Sequence, residues 1–364
     1  MRQKPYVPTT LPLPSLDWED LVPLIGRANR AVARFDGIIQ GMVDPGVLLA
    51  PLATQEAVLS SRIEGTQATL QDVLEFDAAP SVRAEKYLDI QEVVNYRRAM
   101  AAAVESLKKR PISLNLLKEV HAILLDSVRG QDKRRGEFRR VQNYIGRQGA
   151  GIDQATFVPP APEILLDYLS NWEWYIHYDE KDLLVQLAMV HAQFELLHPF
   201  LDGNGRVGRM LIPLFLYQKK LLSSPVFYIS AFLEQNRDLY YSRLRDISVR
   251  GDWAGWIRFF LYAVEEQAND NATRARAILE LYGRLKGAVA GLTRSPHSVQ
   301  ALDALFSSPI VSPTEFGRLS GIPRRSAFRI LDVLKEAGIL VEVRPRTGRQ
   351  PAILGLKELL DVVE

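Results

Sequence analysis

From Trp18 onward, apolar residues recur at three- and four-residue steps: Leu21, Leu24, Ile25, Ala28, Val32, Phe35 and Ile39. That spacing is one face of a helix. The same pattern predicts helices over 53–76 and 84–107, and then near 113–128, 162–178, 181–197, 205–220, 230–248 and 252–290. Ahead of the first helix, Pro5, Pro8, Pro12 and Pro14 predict an extended leader laid over the body.

The period changes between Arg135 and Pro160. Phe138, Val141, Tyr144 and Ile145 are strand-prone; Gly146, Gly149 and Gly151 follow, then Thr156-Phe157-Val158 and Pro159-Pro160. This predicts a short hairpin with a loose tip. Near the C-terminus, helices are predicted at 297–307, 312–320 and 323–337, with Gly338 as a stop. Ile339–Val343 and Ala352–Leu354 then bracket Arg344-Pro345-Arg346-Thr347-Gly348-Arg349, the pattern of three helices and a β-wing. Gly287, Gly291 and Ser295-Pro296 place a boundary between Leu285 and Ser298.

Composition narrows this picture. The chain has 364 residues, 47% hydrophobic and 24% charged, which excludes wholesale disorder. A net charge of +2 leaves no global basic field, so any polyanion must be met locally. There is no cysteine, which excludes a disulfide framework and thiolate chemistry and points to a reducing compartment. The first residues lack the apolar run of a signal peptide, and no run approaches about 18 apolar residues. A cytoplasmic protein that spans no membrane is expected.

The segment with chemistry in it is His198-Pro199-Phe200-Leu201-Asp202-Gly203-Asn204-Gly205-Arg206-Val207-Gly208-Arg209, between two predicted helices. Gly203, Asn204 and Gly205 permit unusual φ values and close backbone approach. Backbone N–H groups at a helix start make an anion cradle. Arg206 and Arg209, three apart, share a helix face and suit a polyphosphate. Asp202 is a hard oxygen ligand fit for Mg²⁺ bridging phosphates, and His198 can act as a general base near neutral pH. Together they describe nucleotidyl or phosphoryl transfer to a hydroxyl. Gly203-x-Gly205-x-x-Gly208 also satisfies the dinucleotide-binding pattern, but that fingerprint follows a strand and here a helix precedes it. His191 and His198 have no third histidine or cysteine nearby to make a metal site.

The run from His198 to Arg209 resembles the signature of Fic-domain proteins. Gly136-Glu137-Phe138-Arg139 and Phe157-Val158-Pro159-Pro160 resemble the ends of that family's hairpin flap, and Tyr240-Tyr241 resembles a tyrosine pair that helps hold the nucleotide base. The resemblance spans roughly residues 50–285. It implies a mainly helical fold and transfer of AMP from ATP to a protein hydroxyl, on the target and on the chain itself. His198 would be the base and Asp202 would place Mg²⁺. Gly203, Asn204 and Gly205 would cradle phosphates, and Arg209 would grip the γ-phosphate with Arg206 assisting. Phe200 would hold the loop from inside. The flap at Asn143, Tyr144, Ile145 and Gly146 would pair with the target chain, and Tyr240 would contact the base. His121 and His177 read as structural. Other Fic chemistries, phosphate or phosphocholine transfer, are set aside because Gly203-Asn204-Gly205-Arg206 is intact.

Ser60-x-x-x-Glu64-Gly65 resembles the family's inhibitory motif. Its carboxylate would pair with Arg209 and so misalign ATP; in some relatives the same glutamate serves removal of AMP. Residues 318–349 carry 8 basic against 3 acidic side chains, and the excess falls on the third helix's start (Arg324, Arg325, Arg329) and the wing (Arg344, Arg346, Arg349). This region resembles a winged helix-turn-helix domain, which implies DNA as a partner, with protein docking as the competing use. The expected organisation is a mainly α protein: an N-terminal helical region with the inhibitory helix over 1–105, a Fic catalytic core with a short β-hairpin flap over 106–285, and a winged helix-turn-helix domain over 290–364. The expected function is autoinhibited protein adenylyltransfer using ATP and Mg²⁺. The alternatives are a DNA-binding regulator with a nucleotide-sensing core, or removal of AMP from a target. The resemblance also implies a homodimer.

Overall fold

The computed structural model describes residues 4–80, 84–146, 151–347 and 351–364. Gly149, Gly348 and Arg349, named above for the hairpin tip and the wing, lie outside the described residues.

In chain order the helices are α1 (Trp18–Gln40), α2 (Pro45–Leu48), α3 (Ala50–Ile63), α4 (Leu70–Ala78), α5 (Ala84–Leu107), α6 (Leu114–Leu124), α7 (Pro162–His177), α8 (Leu183–Leu197) and α9 (Asn204–Gln218). They continue with α10 (Ser230–Gln235), α11 (Arg237–Arg250), α12 (Trp253–Thr293), α13 (Ser298–Ser307), α14 (Pro313–Ser320), α15 (Arg324–Glu336) and α16 (Lys357–Val363). Three short strands complete the order: β1 (Ile310–Val311), β2 (Val341–Arg344) and β3 (Ile353–Gly355). The fold is mainly helical, as expected.

Two compact units emerge. One joins the chain up to Ala33 with Asn95–Asn269; the other joins Arg34–Val94 with Asp270–Glu364. The division falls inside α1, α5 and α12, so no linker marks it in the sequence. It differs from the three consecutive segments expected: residues 34–94 share a unit with the C-terminal region.

In the first unit, α8 is apolar around its circumference and nearly all of it is buried. Helices α7 and α9 pack on it. Two indoles, Trp172 and Trp256, donate to its carbonyls at Val190 and Ala188, both at 2.8 Å. The leader lies extended on this unit. Leu11 exchanges two hydrogen bonds with the Asn171 side chain, Gln193 donates to the Thr9 carbonyl, and Tyr6 donates its N–H to Val158.

In the second unit, α2, α3 and α4 pack against α13, β1 and α16. The small sheet has the order β1-β3-β2, antiparallel throughout. Its register is Ile310↔Gly355 and Val311↔Leu354 on one side, and Val341↔Gly355 and Glu342↔Leu354 on the other. The extra residue Val343 makes the pairing irregular before Arg344↔Ile353. Only glycine suits position 355, because a Cβ there would sit 2.7 Å from Val343 Cγ2. Strands β2 and β3 and the three helices before them were legible. Strand β1 was missed: only the β-branched pair Ile310-Val311 signals it.

Three other expectations change. The helix predicted over 53–76 is two. Gly65, at φ +100°, ends α3, and a capping box restarts the chain at α4: Thr69 Oγ1 accepts from Asp72 N–H while Asp72 accepts from Thr69 N–H. The stretch 230–248 also divides, at Asn236, into α10 and α11. The hairpin forms a single bridge, Ile145↔Phe157, among the described residues.

Thr69→Ala removes one half of the capping box. It should lower the second unit's stability by about 1 kcal/mol, read as a shifted urea midpoint with unchanged slope.

Candidate active site

The segment between α8 and α9 turns sharply. His198 caps α8 in the left-handed region (φ 46°, ψ 60°), and its N–H donates to Phe194. The following Pro199 disfavours a right-handed helical His198, so the helix stops there. Gly203 is the second left-handed residue (φ 76°) and the N-cap of α9. Asn204 and Gly205, grouped with it in the sequence reading, are already helical. Only Gly203 therefore requires glycine's backbone freedom. Asp202 Oδ1 accepts from Gly203 N–H at 2.6 Å.

The loop is held mainly by its carbonyls. Arg139 Nε donates to His198 O at 2.9 Å and Nη2 to Leu197 O at 3.3 Å, while the Arg139 backbone N–H donates to Pro199 O at 2.8 Å. Phe200 O accepts from the side-chain amides of Asn204 (2.9 Å) and Asn143 (3.1 Å), and Asn204 Oδ1 accepts from Phe200 N–H at 2.8 Å. The amide of Asn204 is thus committed to the loop, leaving its backbone N–H for an anion.

His121 takes the last carbonyl. Its Nδ1 accepts from Gly136 N–H, which fixes the tautomer, and Nε2 donates to Asp202 O at 3.0 Å. Burial pushes its pKa down to about 4; the bond to Asp202 opposes this and Arg206 adds to it. Its ring stacks on Phe200 at 3.8 Å, and Phe138 meets the Phe200 ring at 5.1 Å. Phe200 is fully buried, which fits the inward-pointing role expected of it.

Arg206 and Arg209 project from the first two turns of α9 and are buried, at 4% and 0% exposure. Arg206 Nη2 lies 3.6 Å from Asp202 Oδ1, and the Asp202 side chain is 42% exposed. The Arg206 guanidinium therefore lies by a helix N-terminus whose own dipole is positive, and with Arg209 on the same two turns the site favours a multiply charged anion. Among the described residues no group of three or more His, Cys, Asp or Glu could hold a metal by itself. A protein-only metal cage does not fit. A divalent cation that keeps most of its ligands on a polyphosphate and takes one carboxylate does.

Beneath α9, fully buried His191 bridges Gly208 O through Nδ1 and the Tyr240 hydroxyl through Nε2, both at 3.0 Å. Burial pushes its pKa down to about 3; the Gly208 bond opposes this and Arg209 adds to it. Tyr240, expected at the base, is 1% exposed, packed on Tyr241 and Trp256, with its hydroxyl on His191; Tyr241 is the exposed member of the pair. Gly208 lets α8 and α9 approach, since a Cβ there would collide with the Glu195 carboxylate.

The other expected residues fall as follows. In the hairpin, Asn143 reaches the loop, Tyr144 and Ile145 are exposed, and Gly146 follows the Ile145↔Phe157 bridge. Ser60 and Glu64 belong to the second unit: Ser60 is buried in α3, and exposed Glu64 is the C-cap rather than part of the helix. Sequence reasoning gave no role to Arg139 and only a structural one to His121. Neither carries a local signal, because both act on carbonyls distant in the chain.

Fold and loop together define a helical protein built around an anion cradle at a helix start. Sequence models described as Fic/DOC family N-terminal and Fic/DOC family match residues 22–105 and 111–216. The chain belongs to the Fic/DOC family. It is similar to a protein adenylyltransferase Fic of Culex quinquefasciatus, 31% identical over 160 residues that cover 42% of this chain and 28% of that protein. It is also similar to the protein of the same name from Drosophila grimshawi, 29% identical over 214 residues, 56% of this chain and 40% of that one. The matched region is thus well under half of either relative. Among solved structures, a Fic family protein from Desulfovibrio desulfuricans G20 has a similar fold: TM-score 0.59, 20% identity, 97% of this chain and 98% of that one. Fic-1 from C. elegans (residues 134–508 of that protein) gives a TM-score of 0.52 at 22% identity, over 71% of this chain and 73% of that one.

The buried His191 generates a pH dependence. It is neutral when folded, whereas the unfolded chain protonates it near pH 6.5. Its contribution is full above that pH and is lost as pH falls towards 3. Between pH 7.5 and 5.5 the loss should be about 1.4 kcal/mol in urea unfolding, and His191→Gln should flatten that part of the curve.

Proposed function

We propose that this protein is an autoinhibited adenylyltransferase that moves AMP from ATP to a Ser, Thr or Tyr hydroxyl of a target protein and of itself. The observation that carries the proposal is the pair of buried arginines, Arg206 and Arg209, at the start of α9, directly after His198 and Asp202. The relatives' names agree with it.

His198 takes the hydroxyl proton as the target oxygen attacks the α-phosphorus. The bond from that phosphorus to the β-phosphate oxygen breaks, and pyrophosphate leaves. The Gly203-Asn204-Gly205 turn, through the backbone N–H groups of Asn204 and Gly205, binds and orients the phosphates with Arg206 and Arg209, and the hairpin at Asn143–Gly146 pairs with the target chain. Asp202 is the residue that would hold Mg²⁺, which supplies neutralisation of phosphate charge when bound.

Glu64 is proposed as the brake. Its carboxylate pairs with Arg209 and displaces the γ-phosphate from that partner, with Ser60 one turn earlier supporting it. The cysteine-free composition supports a cytoplasmic location as part of the same proposal. Purified protein incubated with ATP and Mg²⁺ should gain an AMP-sized mass strongly in Glu64→Gly, weakly in wild type and not at all in His198→Ala. Equal gain in wild type and Glu64→Gly would remove the brake, and gain in His198→Ala would remove the base.

A second reading concerns the C-terminal region as a winged helix. Helix α15 buries Ala327, Ile330, Leu331 and Leu334 and turns Arg324, Arg325, Phe328 and Arg329 outward. Arg344 and Arg346 lie at the end of β2 and beyond it. That exposed basic face fits a nucleic-acid backbone. Duplex DNA should bind with a steep salt dependence, and Arg325→Ala should lower the slope by about 1 in fluorescence anisotropy. Binding unchanged by salt leaves protein docking as the use of this face.

A further inference from the structure

Arg139 is nearly fully buried, at 2% exposure, yet it carries a charge. Burying a cation is unfavourable unless its donors are all met. Burial lowers its pKa to about 10, with Glu163 opposing, so it stays protonated near neutral pH. What meets the guanidinium is backbone carbonyls from three separate segments. Nη1 donates to Val141 O at 3.4 Å, on the first arm of the hairpin, and Nη2 to Pro160 O at 2.6 Å, where the second arm ends. Nε and Nη2 donate to His198 O and Leu197 O, on the loop with the general base. The backbone N–H of Arg139 adds Pro199 O.

Leu197 closes α8, so its carbonyl is one of those a helix leaves without an internal partner. A cation placed there also complements the negative end of the helix dipole. A planar fork with five N–H donors can serve three directions at once, whereas a lysine ammonium cannot reproduce that fork. The two hairpin arms have a second tie, since Gln142 Nε2 donates to Pro159 O at 2.9 Å and to Asn143 O at 3.0 Å.

We infer that Arg139 is a positioning residue for the transfer reaction: it fastens both arms of the hairpin to the His198 backbone, so that the surface which meets the target and the base that takes its proton are set by one side chain. This rests on the adenylyltransfer reading for its kinetic consequence, though not for its structural one. Arg139 touches no reacting atom.

The test uses the full-length chain. In a Glu64→Gly background, Arg139→Lys and Arg139→Ala are compared with Arg139 by hydrogen exchange and by self-modification with ATP and Mg²⁺. Exchange needs no activity. Both variants should speed amide exchange at least tenfold in 141–146 and in 200–204 together, with α8 unchanged. Self-modification should fall at least tenfold in kcat with KM for ATP within about twofold. Methylguanidinium should restore part of the loss to Arg139→Ala and none to Arg139→Lys, whose side chain fills the space. If Arg139→Ala does not fold, Arg139→Lys alone decides. Acceleration in only one segment, or in neither, overturns the inference, as does a loss confined to KM. If the Glu64→Gly parent transfers no AMP, the functional reading fails and the exchange data still decide the clamp.

Discussion

The loop between α8 and α9 is partly buried, with Pro199, Phe200 and Gly203 inside, and its carbonyls still need donors. Most of what surrounds the candidate site follows from that constraint. Arg139 supplies Leu197, His198 and Pro199, Asn204 and Asn143 supply Phe200, and His121 supplies Asp202. The donors come from the start of the hairpin, from α9 and from α6. A loop held from several elements keeps His198 in a left-handed conformation that an L-residue adopts only when its surroundings impose it.

The two helix ends at this loop are treated oppositely. At the C-terminus of α8, a buried arginine complements the dipole. Near the N-terminus of α9, two buried arginines oppose it, at a cost of about 0.3–1 kcal/mol each for exposed groups and more for buried ones. Such an arrangement is poor for stability alone and good for binding a polyphosphate, whose charge complements both the dipole and the arginines. Beneath it, His191 is kept neutral by burial, with Arg209 adding to the effect and the Gly208 bond opposing it, so it adds no positive charge under α9 near neutral pH. The second layer is therefore as much part of the site as the residues that face solvent.

The 34–94 segment brings Ser60 and Glu64 into one compact unit with the C-terminal helices and sheet. Within that unit α3, whose C-cap is Glu64, packs on α13 and α16. The conformation of the proposed inhibitory segment is thus set partly by residues more than two hundred positions later, and the basic face of α15 belongs to the same unit.

Periodicity alone located most of the helices, because an apolar stripe at the helical period is a local property of the chain. The run His198–Arg209 was legible for a related reason: its donors, charges and left-handed glycine are contiguous, so their spacing already specifies a loop that opens a helix. The break inside 53–76 could be read only from Gly65 and the Thr69–Asp72 pair, and the longer apolar period hid it. What the tertiary structure alone decided is everything that depends on distance across the fold: that Arg139 and His121 hold loop carbonyls about 60 to 80 residues away, that Tyr240 turns its hydroxyl to a buried histidine, and that residues 34–94 join 270–364. Hydrogen bonds to backbone carbonyls select no particular partner sequence, since every residue offers the same carbonyl. They leave no pattern along the chain and become visible only once folding has brought the segments together.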